Sequence, residues 1–167
     1  MENRAKYYIR NLKLSPHPEG GFYKEIYRSA ESINESALPS RYQSSRNFAT
    51  LIYFLLEKEQ KSNFHKLVSD ESWHHIDGCS LTIHCIEKSG TYYKIILGKD
   101  LANGEHPQYV IPKDTWFAAE LNDKSDFALV GCSVFPGFEF EDFTLADKKS
   151  LTEKFQEHIE IISKFTL

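Results

Sequence analysis

The sequence predicts a mainly β fold, a barrel or sandwich of short strands, with a short helix at the N-terminal end and a helix closing the chain. Three observations carry that reading. Eight runs (48–56, 63–68, 71–76, 80–86, 92–97, 108–111, 115–121 and 127–135) are rich in β-branched and aromatic residues. Gly, Asp, Asn and Pro separate them at close intervals. No helical segments alternate with these strands, as βαβ units would require.

The remaining elements follow from local signals. Residues 3–12 form a short amphipathic helix with Tyr7, Tyr8 and Leu12 on its apolar side. Pro16-His17-Pro18-Glu19-Gly20-Gly21 then stops any helix, because proline lacks a donor and glycine permits positive φ. Residues 22–28 read as a strand, and the polar stretch 30–46, with Pro39, as a surface loop. Near the end, Leu151, Phe155, His158, Ile159 and Ile162 recur at helical spacing. Ser150-x-x-Glu153 fits a capping box for that helix, and Thr144-x-x-Asp147 offers an earlier start.

The chain is expected to be one domain over residues 1–167, since nothing in its composition marks a linker. An apolar fraction of 41% argues against disorder. Without a Lys/Arg-rich block there is no footprint for nucleic acid. No run is long enough to span a bilayer and no signal pattern opens the chain, so the cytosol is the expected location. Cys79, Cys85 and Cys132 lack the spacing of a zinc ribbon or a CxxC pair, and read as free thiols in a reducing compartment.

The chemistry concentrates at His65-x-Leu67-x-x-x-Glu71. If residues 68–70 form the turn of a hairpin, His65 opposes Trp73, Leu67 opposes Glu71, and His75 shares their face. If only Ser69 and Asp70 turn, His65 meets His74 with Ser72 beside it. A slip of one residue reverses every side chain, so both registers stand. In the first, His65, Glu71 and His75 would be the ligands of any divalent metal, or His65 and Glu71 a hydrogen-bonded acid–base pair. His84, His106 and His158 read as structural or loop histidines. Glu139, Glu141 and Asp142 read as a solvated acidic edge, and His17 as part of a rigid turn.

His65-x-Leu67, Glu71 and then Gly78 after six residues resemble the first cupin motif, G(x)5HxH(x)3–4E(x)6G, with leucine in place of the second histidine. Around Pro112 the second motif, G(x)5PxG(x)2H(x)3N, is echoed with Asp114 for its glycine and Phe117 for its histidine. A closer resemblance runs along nearly the whole chain. It takes in Leu14-x-Pro16-His17-Pro18-Glu19-Gly20-Gly21-Phe22-Tyr23, Glu25-x-Tyr27-Arg28-Ser29 and Ile52-Tyr53-Phe54-Leu55-Leu56. Phe64-His65, Ser69-Asp70-Glu71-x-Trp73-His74, Val110-x-Pro112, Trp116, Val130-Gly131-Cys132 and Pro136-Gly137-Phe138-x-Phe140-x-Asp142-Phe143 continue it in order. The ordered set resembles the Cupin_5 family (DUF985, the YML079w-like proteins). That resemblance implies an RmlC-like double-stranded β-helix, or jelly roll, usually dimeric, with a pocket at the barrel centre.

Metal-dependent cupins use three histidines and a glutamate, whereas here only His65 and Glu71 fall on those positions. The expectation is therefore no tightly bound metal and no cofactor. A small sugar-, nucleotide- or aromatic-like metabolite would bind between walls of Tyr53, Trp73, Trp116 and Phe117, with polar contacts from Arg28, His65, Glu71 and His75. A sugar epimerase-like activity is the alternative, with His65 as base, polarised by Glu71 or Asp70, and Tyr53 as acid. A divalent-metal oxygenase is the third reading. The expected partners are the small ligand and a second copy of the chain, not nucleic acid or membrane.

Overall fold

The structure, a computed structural model, describes residues 3–167. Helix α1 (Arg4–Asn11) is capped by Asn3, whose side chain accepts from the backbone N–H groups of Ala5 and Lys6. The strands are β1 (Ser15–Pro16), β2 (Phe22–Arg28), β3 (Ser32–Ile33), β4 (Arg46–Asn47), β5 (Thr50–Glu57), β6 (Lys61–Leu67) and β7 (Asp70–Gly78). They continue as β8 (Leu81–Ile86), β9 (Tyr92–Leu97), β10 (Gln108–Ile111), β11 (Trp116–Leu121), β12 (Phe127–Phe135) and β13 (Phe143–Leu145). Helices α2 (Lys148–Lys154) and α3 (Ile159–Lys164) follow. A six-stranded sheet, ordered β1-β2-β5-β12-β7-β10, faces a five-stranded sheet ordered β13-β6-β11-β8-β9, and β3 pairs with β4 apart from both. Every pairing within the sheets is antiparallel, giving the jelly roll that the sequence predicts.

Both faces of the central strands are covered, which is why they read as apolar runs rather than clean alternations. Phe54 and Leu56 of β5, Trp73 of β7, Ile83 and Cys85 of β8, Phe117 of β11 and Val130 of β12 meet between the sheets. Leu55 and Leu129 point the other way, where Ala5 and Leu14 join them under α1. Phe64 and Ile86 leave the back of the five-stranded sheet to pack on Leu151, Phe155, Ile162 and Phe165.

Neither hairpin register expected around Ser69 forms. Strand β6 pairs with β11 and β13, whereas β7 pairs with β12 and β10, so residues 68 and 69 turn a corner from one sheet to the other. His65 sits opposite Phe117 and Leu145, and Trp73 opposite Cys132 and Tyr109. The inner faces of opposed sheets look at each other, so His65 and Glu71 still converge, across the barrel instead of along a hairpin.

The stretch expected as a surface loop instead fastens that corner. Tyr42 is buried and its hydroxyl lies 2.7 Å from Ser69 Oγ, while Arg41 Nε donates to the Val68 carbonyl at 2.9 Å. Arg46 is wholly buried, and its Nε and Nη2 each donate to Asp142 at 2.7 Å. The acidic segment is thus not a solvated edge, because Asp142 is buried against Arg46 and Glu141 accepts from Arg46 and Ser44. The closing helix is also interrupted. Phe155, at φ −132° and ψ 66°, ends α2, and the break turns Ile159 out to solvent while Ile162 stays inside. Asp147 caps α2 by accepting from the Ser150 N–H and hydroxyl, so neither predicted box is used.

Removing one partner of a buried ion pair strands the other charge. Arg46→Ala is expected to lower stability by about 3–5 kcal/mol in urea unfolding, and Arg46→Met with Asp142→Leu to recover most of it. A double variant no more stable than the single one would show that the ionic geometry itself holds the segment.

Candidate functional site

The site begins with the turn after Pro16. Gly20 N–H donates to the His17 carbonyl and His17 N–H to the Gly21 carbonyl, each at 3.0 Å. The turn depends on glycine: at Gly20, with φ +114°, a Cβ would stand 2.1 Å from the Lys61 carbonyl oxygen. Asn63 clamps the turn onto β6, donating its backbone N–H at 2.8 Å and its side-chain amide at 2.9 Å to the Glu19 carbonyl. Glu19 thereby enters the barrel beside β6 and is buried there.

Its carboxyl joins a chain of polar contacts. Ser62 Oγ donates to Glu19 Oε1 at 2.7 Å. Glu19 Oε2 lies 3.1 Å from His65 Nε2 and 3.3 Å from His17 Nδ1. On its far side, His65 Nδ1 is 2.8 Å from the Asn63 carbonyl, which can only accept, so Nδ1 carries the proton of neutral His65 and Nε2 presents its lone pair to Glu19. Burial lowers His65 to about 3 and His17 to about 4. Burial, reinforced by the nearby Glu71 charge, raises Glu19 well above the ordinary carboxylate range. The cluster is therefore a protonated carboxyl donating to a neutral imidazole, which avoids two bare charges in an apolar interior. Aromatic rings enforce the dryness: His65 meets Phe117 at 4.0 Å between ring centroids, and His17 meets Tyr23 at 4.5 Å.

Glu71 stands across the same cavity. Burial pushes its carboxyl up to about 7, while Trp73 and Cys132 beside it pull the other way. Trp73 Nε1–H comes close enough to exert that pull but completes no hydrogen bond. The Cys132 thiol, pushed up by burial and by the Glu71 charge, is no ready nucleophile.

The cavity encloses about 280 Å³. His17, Glu19, His65, Glu71, Trp73 and Cys132 form its buried end. Phe54, Tyr23 and Phe143 form its walls, and Glu25, Arg28, Glu139 and Phe140 its more exposed end. Of the residues expected from sequence, Arg28, His65, Glu71 and Trp73 come together here. The others do not. Tyr53 packs outward with the α1 cluster, and Trp116 lies in the cluster under the C-terminal helices. Phe117 backs His65 from within the core. His75 sits at a bulge in the β7–β12 pairing and donates Nε2–H to the Cys79 carbonyl at 2.8 Å. Reasoning from sequence missed Glu19, His17, Tyr23, Phe140 and Phe143 as lining residues. The one available signal was the density of turn residues around His17 and Glu19, which was read as rigidity alone.

A cupin metal does not fit these residues. Leu67 and Phe117 offer no donor, His75 is turned away, and both nitrogens of His65 are engaged by Asn63 and Glu19. No three His, Cys, Asp or Glu side chains among the described residues are arranged to hold an ion.

A family model described as cupin superfamily (DUF985) matches residues 6–146. Protein SO0799 from Shewanella oneidensis superposes with a TM-score of 0.88 at 38% identity, covering 100% of this chain and 99% of that one. A hypothetical protein from Leishmania major superposes with a TM-score of 0.88 at 32% identity, over 98% of this chain and 99% of its own. The uncharacterized protein YML079W of Saccharomyces cerevisiae is 28% identical over 155 residues, 81% of this chain and 72% of its own.

A carboxyl whose folded pKa lies above its unfolded value of about 4.3 favours the folded state fully below the unfolded value, and that contribution is lost as pH rises through about 7. Glu71→Gln removes this titration. The variant is expected to gain on the parent by up to about 3 kcal/mol between pH 4.5 and 8.5, read from urea midpoints. A difference that stays flat across that range would contradict the burial-raised carboxyl.

Proposed function

The chain belongs to the Cupin_5 (DUF985) family of the cupin superfamily, and on that footing we propose that its barrel cavity is the binding site of a small organic metabolite. The observation that carries this reading is the buried end of the cavity. There Glu19, His65, Glu71 and the unsatisfied indole N–H of Trp73 converge on one enclosed volume between aromatic walls. Three ionisable groups and an open donor are costly to bury for packing alone, and a ligand that pairs with Glu71 and the Trp73 indole recovers part of that cost.

The ligand is gripped by protein groups rather than through a metal, since the fourfold ligand set of a metal cupin is broken at Leu67 and Phe117. Binding is also favoured over proton abstraction by His65. Its Nε2 lone pair already meets Glu19, so it has no free basic atom to offer a substrate.

Native mass spectrometry of freshly purified protein, run beside elemental analysis, tests the reading. The expected spectrum shows the bare chain together with the chain plus an organic adduct. A stoichiometric transition metal would overturn the metal-free reading and make oxygen chemistry the next thing to assay.

Tryptophan emission gives an independent readout, because Trp73 lines the cavity and Trp116 does not. In the Trp116→Phe variant, ligand is expected to change the emission of the single remaining indole, while in Trp73→Phe it leaves emission unchanged. The reverse pattern would move the site away from the barrel centre.

A further inference from the structure

The charges lining the cavity are one-sided. Beside the protonated Glu19, three carboxyls able to carry charge, Glu25, Glu71 and Glu139, stand against a single guanidinium, Arg28. Arg28 is fully engaged within the protein. Its Nε donates to Glu25 Oε1 at 3.1 Å, and its Nη1 to Asn47 Oδ1 at 3.0 Å and Glu139 Oε1 at 2.5 Å. Its Nη2 donates to Glu25 Oε2 at 2.9 Å and to the Phe138 carbonyl at 3.1 Å. A guanidinium has five N–H donors, and all five are taken. With carboxylates on both sides, the Arg28 group carries a net negative charge and has no donor left for an incoming anion.

Among the described residues, no cationic side chain lines the buried end. His17 and His65 are kept neutral by burial. Glu19 is satisfied by Ser62 and His65. Glu71 is different, because it is buried, faces the cavity and, among the described residues, has the Trp73 indole and the Cys132 thiol beside it but no cationic side chain. The cavity that Glu71 lines is also lined by Tyr23, Phe54, Trp73, Phe138 and Phe143. An aromatic enclosure with one uncompensated carboxylate is the arrangement that recognises an organic ammonium, by cation–π attraction and a desolvated ion pair.

We propose that the ligand of this cavity is a small organic cation, an amine or quaternary ammonium on a partly apolar frame, with Glu71 as its counter-ion. The inference rests on the cavity being a metabolite site and narrows the class of that metabolite. Phosphorylated, carboxylated and nucleotide-like compounds are disfavoured, since they meet Glu25, Glu71 and Glu139 and find no free donor on Arg28. The cation supplies the partner that Glu71 lacks, so binding stabilises the ionised carboxylate that burial otherwise disfavours.

Three probes of one shape isolate the charge: benzylamine, benzyl alcohol and benzoate, titrated into the full chain and followed by calorimetry and by Trp73 emission. Benzylamine is expected to bind at least about tenfold more tightly than benzyl alcohol, with benzoate the weakest. In Glu71→Gln the preference for benzylamine over benzyl alcohol should fall at least about fivefold, while the alcohol is unaffected. Should that variant fail to fold, the ranking of the three probes on the unaltered protein decides the matter. Equal or tighter binding of benzyl alcohol or benzoate overturns the cation assignment and leaves the metabolite site standing. If none of the three binds up to tens of millimolar and native spectra carry no organic adduct, both fall.

Discussion

The site depends on where one carboxyl is carried. Glu19 belongs to a turn outside the main strands, yet its backbone carbonyl takes two hydrogen bonds from Asn63 and its side chain reaches Ser62, His65 and His17. Through that one residue the segment before β2, an element of the six-stranded sheet, is tied to β6 of the opposite sheet. Two glycines make the approach possible, because backbone of the turn lies against backbone of β5 and β6 at a distance no Cβ tolerates. Asn63, whose N–H groups anchor Glu19, also sets the tautomer of His65 through its own carbonyl, so structural closure and chemical character share one residue.

A second tie works at another place. The segment between β2 and β5 is short of regular structure, but Arg46 is buried against Asp142 and Tyr42 meets Ser69 at the corner between β6 and β7. That corner separates the strand bearing His65 from the strand bearing Glu71. Holding it fixes their spacing across the cavity, and a bidentate guanidinium–carboxylate pair is well suited to do so because its geometry is planar and directional.

Burial governs the electrostatics of the cavity more than pairing does. Histidines are driven to their neutral forms and carboxyls toward their protonated forms by the same dry surroundings. Glu19 and His65 meet this constraint with a shared hydrogen bond. Glu71 meets it less completely, with the Trp73 indole and the Cys132 thiol beside it and no cationic side chain among the described residues in an ion pair with it. Arg28, which looks available in the sequence as a ligand-binding cation, is instead absorbed by Glu25 and Glu139.

By itself the sequence determined the strand content, the helices at the two ends, the family resemblance and the place of His65, Glu71, Trp73 and Arg28 near one site. Those features are local, since alternation, turn residues and motif spacing are properties of neighbours in the chain. Tertiary structure alone decided that β6 and β7 lie in different sheets, because a short turn signal is the same for a hairpin and for a corner. It also decided that Glu19 and His17 enter the cavity, that Arg46 finds Asp142, that Phe117 stands behind His65, and that Tyr53, Trp116 and His75 face elsewhere. Where both faces of a strand are buried, period-two alternation tells which side chains share a face but not which face looks inward. That choice rests on partners tens of residues away, and only the packed fold brings them together.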